Sequence, residues 1–369
     1  MSFFVTAFPV LLSVSNPYLL RMIKNTTFLA LLLVFAANLT LRAQMGMGKP
    51  EEIEAVKSRK LIVLIEEPRE KMLKRIAKKA KRGSVEDYQA DLKIFNANMK
   101  EVVEKFWPYN KQGIQYKTFE EIQELRKSGS EEYAVITCLS AEPRATMAGF
   151  NYSEGLYWVK DIKEDFEDRD DDMFSVMMVN VIEDFGKRPV FYTPLFDVFP
   201  TKAAIVYGIE STEAYFTMRL NKAAGSKGRD ERERIEQEMA ARAPKLAAEK
   251  TLLIREEWLD KELTEATIKT VYPYKYKICD RAFMDDVVMK QDDKYAYGVQ
   301  MPIVISTSRS NTVMYIQMVM DAKDSGPMAV VKPSAGSMML GSGVTGKAGT
   351  RNFTLKTMTK IVEQIKGIN

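Results

Sequence analysis

The sequence predicts an α/β protein made of two tandem, related domains, each a mixed sheet covered by helices in two or three layers. Of its 369 residues, 46% are hydrophobic and 28% charged, the balance of a folded globular chain. The second half repeats the order of buried strands, helices and hairpin found in the first, which indicates an internal duplication. We place the domains at residues 50–220 and 250–369, joined by a charged helical linker at 221–249.

A signal peptide is predicted before the first domain, at residues 1–43. Its apolar run, 28–39, is too short to span a bilayer comfortably, and Ala43 provides the small residue expected before a cleavage site. Met22 is the expected start of translation, and a membrane hairpin is the alternative reading of the segment. The leader holds three basic residues and no acid, so the remaining chain has a formal net charge of +1. That balance argues against nucleic-acid binding.

Each half then opens with a similar strand. Lys60–Pro68 (KLIVLIEEP) and Lys250–Trp258 (KTLLIREEW) both join a lysine, an apolar run and two glutamates, which is typical of a buried strand leaving the core. Adjacent residues on a strand point to opposite faces, so neither glutamate pair can flank one scissile bond. We expect the pairs to end their strands at the surface.

A helical region and a second strand follow in both halves. The helical regions stop at Trp107-Pro108-Tyr109 and at Tyr272-Pro273-Tyr274, because a proline disfavours helix at the residue before it. The short strands are expected at 114–117 and 274–277. Thr118 and Asp280 then cap the next helix of each half.

A hairpin, one more strand and a closing helix complete each half. The third strands begin at Tyr133 and Tyr295, and the return strands are Ser175–Asp184 and Thr312–Asp321. Further strands lie around 190–192 and 328–331. The closing helices are predicted to be amphipathic, on the spacing of Ile205, Ile209, Thr212 and Phe216 and of Leu355, Met358, Ile361 and Ile365.

The first half also carries two helices of its own. Ser84 caps a long helix whose apolar positions run from Val85 to Phe106 at helical spacing. The stretch Arg69–Arg82 before it has eight basic residues and one acid. Its apolar stripe of Met72, Ile76 and Ala80 is thin, so we expect a contact element rather than core. The candidate contact residues for an anionic partner are Lys74, Arg75, Lys78 and Lys79; a merely solvated helix fits the same pattern.

No catalytic residue, cofactor or metal site is predicted. The chain contains no histidine, which excludes Ser-His-Asp triads, Cys-His dyads and HExxH zinc sites. Gly341–Lys347 (GSGVTGK) is followed by Ala348 where a phosphate loop needs Ser or Thr, so we interpret it as a loop. The segment 164–172 has seven acids and is interpreted as a solvated turn, with weak calcium binding as the alternative. Cys138 and Cys279 are expected to be unpaired.

One family resemblance rests on the residues of the first half. Tyr133–Thr137 before the hairpin, and Val179–Tyr192 (VNVIEDFGKRPVFY) with its strand, Asp-Gly turn and strand, resemble the periplasmic α/β domains of the TolB amino terminus and of the curli-secretion channel family. The resemblance covers each half in its order of elements and carries over no functional residue. The chain lacks the lipoprotein cysteine and the propeller repeats. The resemblance implies an envelope protein that works by contacts.

These observations predict a non-enzymatic binding or scaffold protein, periplasmic or on the cell surface. The expected partner is an envelope protein or another anionic surface, and no transmembrane span is expected after signal removal. Two alternatives stay open. One is a histidine-independent carboxylate enzyme acting on an envelope polymer. The other is a small-ligand binding protein whose site lies between the two halves.

Overall fold

The computed structural model describes residues 48–78, 83–111, 113–141, 150–158, 174–221, 228–306, 311–331 and 352–368. These residues form an α/β fold in two similar halves, each around a five-stranded mixed sheet, which confirms the predicted fold class. Four sequence interpretations fall outside the described residues: the signal peptide 1–43, the acidic segment 164–172, the loop 341–347 and Lys79.

The first half has the strand order β2-β1-β3-β4-β5. β1 is parallel to β2 and β3, whereas β3, β4 and β5 are antiparallel neighbours. Ser84 and Thr118 accept the expected capping hydrogen bonds from backbone amides. In chain order the elements are α1 (Pro50–Ser58), β1 (Lys60–Leu64), α2 (Glu70–Lys78), α3 (Val85–Phe106), β2 (Gln115–Lys117), α4 (Phe119–Lys127), β3 (Tyr133–Ala141), β4 (Phe174–Val181), β5 (Phe191–Pro194) and α5 (Lys202–Leu220).

The second half repeats this topology, with the strand order β7-β6-β8-β9-β10. In each half the first crossover leads from the first strand to the edge strand on one side, and the second leads back past the first strand to its other side, so the two run in opposite directions. Since such crossovers are right-handed, their helices cover opposite faces of the sheet, which gives three layers. In chain order the elements are α6 (Gly228–Arg242), α7 (Lys245–Ala248), β6 (Thr251–Arg255), α8 (Glu265–Val271), β7 (Tyr276–Cys279), α9 (Arg281–Met289), β8 (Tyr295–Ser306), β9 (Asn311–Asp321), β10 (Pro327–Val331) and α10 (Leu355–Ile365).

The register between the halves differs by one residue from the sequence prediction. Lys60 lies opposite Tyr133, and Thr251, not Lys250, lies opposite Tyr295. Lys250 has a different task, because its buried ammonium donates to the carboxylates of Asp293 and Asp321, both at 2.8 Å. The predicted pairing of Lys60–Glu67 with Lys250–Glu257 is therefore wrong by one position.

The two halves share one hydrophobic core. It runs from Val63 and Phe95 in the first half to Leu253 and Val288 in the second. α5 lies at the centre, packed against α3 on one side and α9 on the other. The predicted amphipathic helix is thus buried on more than one face, with eleven buried residues. Sequence periodicity missed this because the second face is covered by the other half.

Helices also occupy the segment between the halves. The described side chains of α6 are mostly exposed, as predicted, but Ala243 and Leu246 after it are buried. Arg242 at the end of α6 forms an ion pair of 2.7 Å with Asp324 of the second half. Among the described helices, none is long and apolar enough to cross a bilayer.

Candidate functional site

The basic helix α2 is fixed to the first half by a small hydrophobic cluster of its own. Met72 and Ile76 are buried there, 6% and 4% exposed, against Tyr88 and Leu92 of α3 and against Trp158. The indole of Trp158 donates to Asp91 of α3 at 2.7 Å. The thin apolar stripe therefore packs, which differs from the expectation of an element outside the core. Its width matches one neighbouring helix rather than a sheet.

The other face of α2 carries the predicted contact residues. The Lys74 side chain is 69% exposed and pairs at 2.5 Å with Glu70 of its own helix. Lys78 is exposed. Arg75 is half-buried, with its guanidinium 5.1 Å from the centre of the Tyr157 ring. Lys74 and Lys78 thus face solvent on a helix whose other side packs on α3, whereas Arg75 contacts Tyr157 of the small hydrophobic cluster.

A crevice lies beside the start of α2, at the carboxyl end of β1. β1 stands between β2 and β3, so the crossovers diverge here and leave a gap above the sheet, the usual place for a ligand in open α/β folds. The gap has a volume of about 440 Å³. Its lining combines acidic, basic and amide groups: Glu67, Pro68, Arg69, Glu70, Lys71, Glu120, Asn151 and Ser153.

Glu66 is buried next to this crevice, in contact with its lining residue Arg69. Its side chain is only 2% exposed, and Oε2 accepts a hydrogen bond from Nε of Arg69 at 3.3 Å. Asn96 of α3 holds the Glu66 backbone by accepting from its amide and donating to its carbonyl. Burial raises the pKa of Glu66 to about 7, against the opposing effect of Arg69. The prediction that both glutamates of this pair lie at the surface is wrong for Glu66, whereas Glu67 is exposed.

Arg69 contacts both the buried Glu66 and the exposed Glu120. Its guanidinium lies 5.3 Å from the centre of the Phe119 ring and 4.0 Å from the carboxylate of Glu120. The Glu120 side chain is 66% exposed, so this second contact is weak in water. Acids outnumber bases in the crevice, which favours neutral polar or cationic ligands over anionic ones.

The corresponding position of the second half is filled instead of open. By register, Glu257 corresponds to Glu66. Arg255 lies in contact with Glu257 and pairs at 2.6 Å with Asp197, which follows β5 of the first half. Arg255 and Asp197 are 2% and 3% exposed as side chains. Asp197 of the first half thus occupies the position after β6 of the second sheet, whereas the corresponding position after β1 of the first sheet is a crevice.

Further contacts hold this insertion in place. Arg281, at the start of α9, donates from Nε to both oxygens of Glu257 at 3.0 and 3.1 Å. Although burial opposes it, the charges of Arg255 and Arg281 lower the pKa of Glu257. The guanidinium of Arg255 lies 3.9 Å from the centre of the Trp258 ring, and Phe196 packs edge-on against the same ring. The cluster stabilises the contact between the halves and leaves little room for a ligand.

Sequence reasoning found the basic helix but missed the crevice and the ionic cluster. The signal for Glu66 was present, because strand alternation puts one glutamate of a pair inward. No local pattern relates Asp197 to Arg255, which lie 58 positions apart. In the part of the chain that the structure describes, no three acidic or cysteine side chains are grouped in a way that would hold a metal ion. Cys138 and Cys279 are buried and unpaired, as predicted.

Comparisons with protein-family models, with curated proteins and with solved structures each found no match for this chain. Its function is therefore inferred from its residues and their geometry.

Proposed function

We propose that this is a non-enzymatic, exported binding protein of the cell envelope, which holds an anionic partner against the basic face of α2. The observation that carries the proposal is the packing of α2 on α3, which leaves its basic face in solvent. Met72 and Ile76 fix one side of the helix to α3, so Lys74 and Lys78 are presented on a rigid support. A helix of nine residues is marginal in water by itself, so this contact is what holds its cations in a fixed position. Its exposed cations would attract an acidic surface over the 8–10 Å range that salt leaves unscreened.

The export part of the proposal rests on the sequence alone. The leader at residues 1–43 has the anatomy of a signal peptide, and the element order of each half is the one that resembles the TolB and curli-channel domains. Amino-terminal sequencing of the exported protein tests it. We expect Gln44 at the terminus, and a retained segment 28–39 would contradict export by a cleaved signal.

Charge reversal tests the contact face. We expect K74E/K78E to reduce capture of envelope components by the immobilised chain 44–369, and wild-type capture to fall with added salt. The matched control is K187E/K290E, because these lysines are 63% and 64% exposed and also pair with an acid of their own segment. Both variants should keep their melting temperature within a few degrees. Equal capture by wild type and K74E/K78E would leave α2 a solvated helix and remove the proposal.

A carboxylate enzyme is the second candidate, and Glu66 is the observation in its favour. A buried carboxyl with a pKa of about 7 next to a crevice suits general acid–base chemistry. The test is release of reducing ends from cell-wall glycan by wild type, E66Q and the exposed neighbour variant E67Q. Activity lost in E66Q and kept in E67Q would favour the enzyme. We expect no release, since Arg69 occupies the inner carboxylate oxygen.

The third candidate, a ligand site between the halves, has the least support. Phe196 and the Asp197–Arg255 ion pair fill the contact between the two sheets. A ligand there would have to displace packed and charged side chains.

A further inference from the structure

Among the residues that the structure describes, the outer edge of the second sheet is open at β7, which pairs with β6 alone. The amide of Leu252 donates to the carbonyl of Lys275 at 3.0 Å, and Leu252 lies opposite Tyr276. In a parallel ladder this places the backbone groups of residues 275, 277 and 279 toward β6. The N–H and C=O groups of Tyr276 and Ile278 therefore point away from the sheet. Such a row of backbone donors and acceptors is a template for another strand.

Other sheet edges in this chain are protected. At β10, Gln364 of α10 accepts from the amide of Val330 at 3.0 Å and donates to its carbonyl at 2.8 Å. At β5, the amide of Gly48 donates to the carbonyl of Val190 at 2.9 Å, and Pro194 ends the strand. Proline and covering groups are the usual means of blocking edge pairing. In the described part of the chain β7 has neither, whereas β2 has three residues with one outward position.

A groove runs beside the open edge of β7. Its volume is about 520 Å³. Three tyrosines line it, at positions 272, 274 and 276, with Tyr272 and Tyr274 in edge-to-face contact at 5.4 Å. Its charged lining groups are Lys269, Lys275 and Lys277 against Glu265, all exposed. The lining therefore has a net charge of +2, with aromatic surface between the cations.

We propose that the β7 edge binds an extended segment of a partner protein as an added strand, and that this segment alternates acidic and apolar residues. Side chains alternate along a strand, so Tyr276 and Lys277 point to opposite faces of β7, and Tyr274 and Lys275 lie just before the strand. An added strand places its own alternate side chains beside these two faces. Acids suit the Lys277 face, and aliphatic or aromatic groups suit the Tyr276 face.

This interaction is separate from the role proposed for α2. The two surfaces belong to different halves and recognise different features, a charged helix face in one and a strand edge in the other. K74E/K78E should therefore bind the added strand as well as wild type does. Failure of either proposal leaves the other standing.

A defined peptide tests the β7 proposal. The probe is a fluorescein-labelled hexapeptide of alternating glutamate and valine, with binding followed by fluorescence anisotropy at low salt. We expect wild type to bind it, and a peptide of alternating lysine and valine to fail. K275Q/K277Q should weaken binding by about tenfold, since both contacts are charge-assisted. I278P should also weaken it, because it removes an outward N–H, and proline is tolerated at such positions of an edge strand.

Control variants separate edge binding from general effects. K117Q alters a lysine of β2, the edge strand of the other half, and should bind the peptide normally. Urea unfolding checks that each variant is folded; K275Q/K277Q changes only exposed side chains, so it decides the question even where I278P does not fold. Absent binding, equal binding of both peptides, or unchanged binding by folded K275Q/K277Q would overturn the proposal. So would a wild-type dimer that I278P dissociates, because a second copy would then occupy the edge.

Discussion

Glu210 predicts a distinctive pH dependence of stability. It lies on α5 at the contact between the halves, where Oε1 accepts a hydrogen bond from Gln291 at 3.2 Å. Its other oxygen is buried without a hydrogen-bond partner among the described residues. Burial raises the pKa of Glu210 to about 7, opposed by the hydrogen bond from Gln291 and assisted by the charges of Asp324 and Glu213.

The sign follows from the two pKa values. Below pH 4.5, the ordinary value, Glu210 is protonated in both the folded and unfolded chain, and its titration costs nothing. As the pH rises toward 7 the unfolded chain loses this proton while the folded chain retains it, so the free energy of unfolding falls. Above pH 7 the loss is constant. At about 1.36 kcal/mol per pKa unit, the loss is at most about 3 kcal/mol, and partial solvation of Glu210 reduces it.

The variant E210Q isolates this effect, because its amide does not titrate. We expect E210Q to be more stable than wild type by about 1–3 kcal/mol at pH 8 and nearly equal to it at pH 4.5. Urea unfolding at both pH values measures the difference, and E124Q on an exposed position of α4 is the matched control. Glu66 titrates over a similar range, but its contribution cancels between wild type and E210Q. An equal stability change at both pH values would refute the reasoning.

Three further predictions concern packed sites. Gly208→Ala should lower the free energy of unfolding by about 1–3 kcal/mol, because the new Cβ would lie 2.6 Å from the sulfur of Met177; an unchanged melting temperature would show that this side chain moves aside. Arg255→Leu should lower the free energy of unfolding by about 3–5 kcal/mol, since it leaves the buried carboxylate of Asp197 without its ion-pair partner. Urea unfolding measures the loss, and a loss below about 1 kcal/mol would contradict this reasoning. Cys138 and Cys279 should resist thiol reagents in the folded protein, because burial raises both pKa values, that of Cys279 to about 11. Thiol titration of the denatured, unreduced protein should find two free thiol groups, and a count of zero would reveal a disulfide.

Local sequence signals predicted most of the order of helices and strands. Thr118 and Asp280 were predicted as caps of equivalent helices, and the structure places both at the start of the helix that follows the edge strand. Their register is also correct, because a cap is fixed by backbone amides that lie within three residues of it. The long helix α3 was equally clear because its apolar positions follow the helical period, and β1 was clear because it is a short apolar run that ends at two glutamates and a proline.

The predicted features that differ depend on contacts distant in sequence. Whether a glutamate after a strand is buried depends on what covers it, and Glu66 is covered by Arg69 and by the backbone of Leu156. α5 was expected to have one apolar face. It has two, because its second face packs on α9, which lies in the other half. The open edge of β7 likewise appears only once both strand orders are known. Each of these is a property of the assembled halves rather than of a local pattern.

The sharing of one hydrophobic core has a consequence for dividing the molecule. The halves touch through α5, the Asp197–Arg255 pair and the hydrogen bond from the Ala203 amide to Asp285, none of which requires a continuous backbone between residues 221 and 228. Two separately expressed fragments divided there would each expose a large apolar surface and aggregate alone. Expressed together, they would associate and restore the native core, so the chain is suited to a split reporter whose signal depends on fragment reunion.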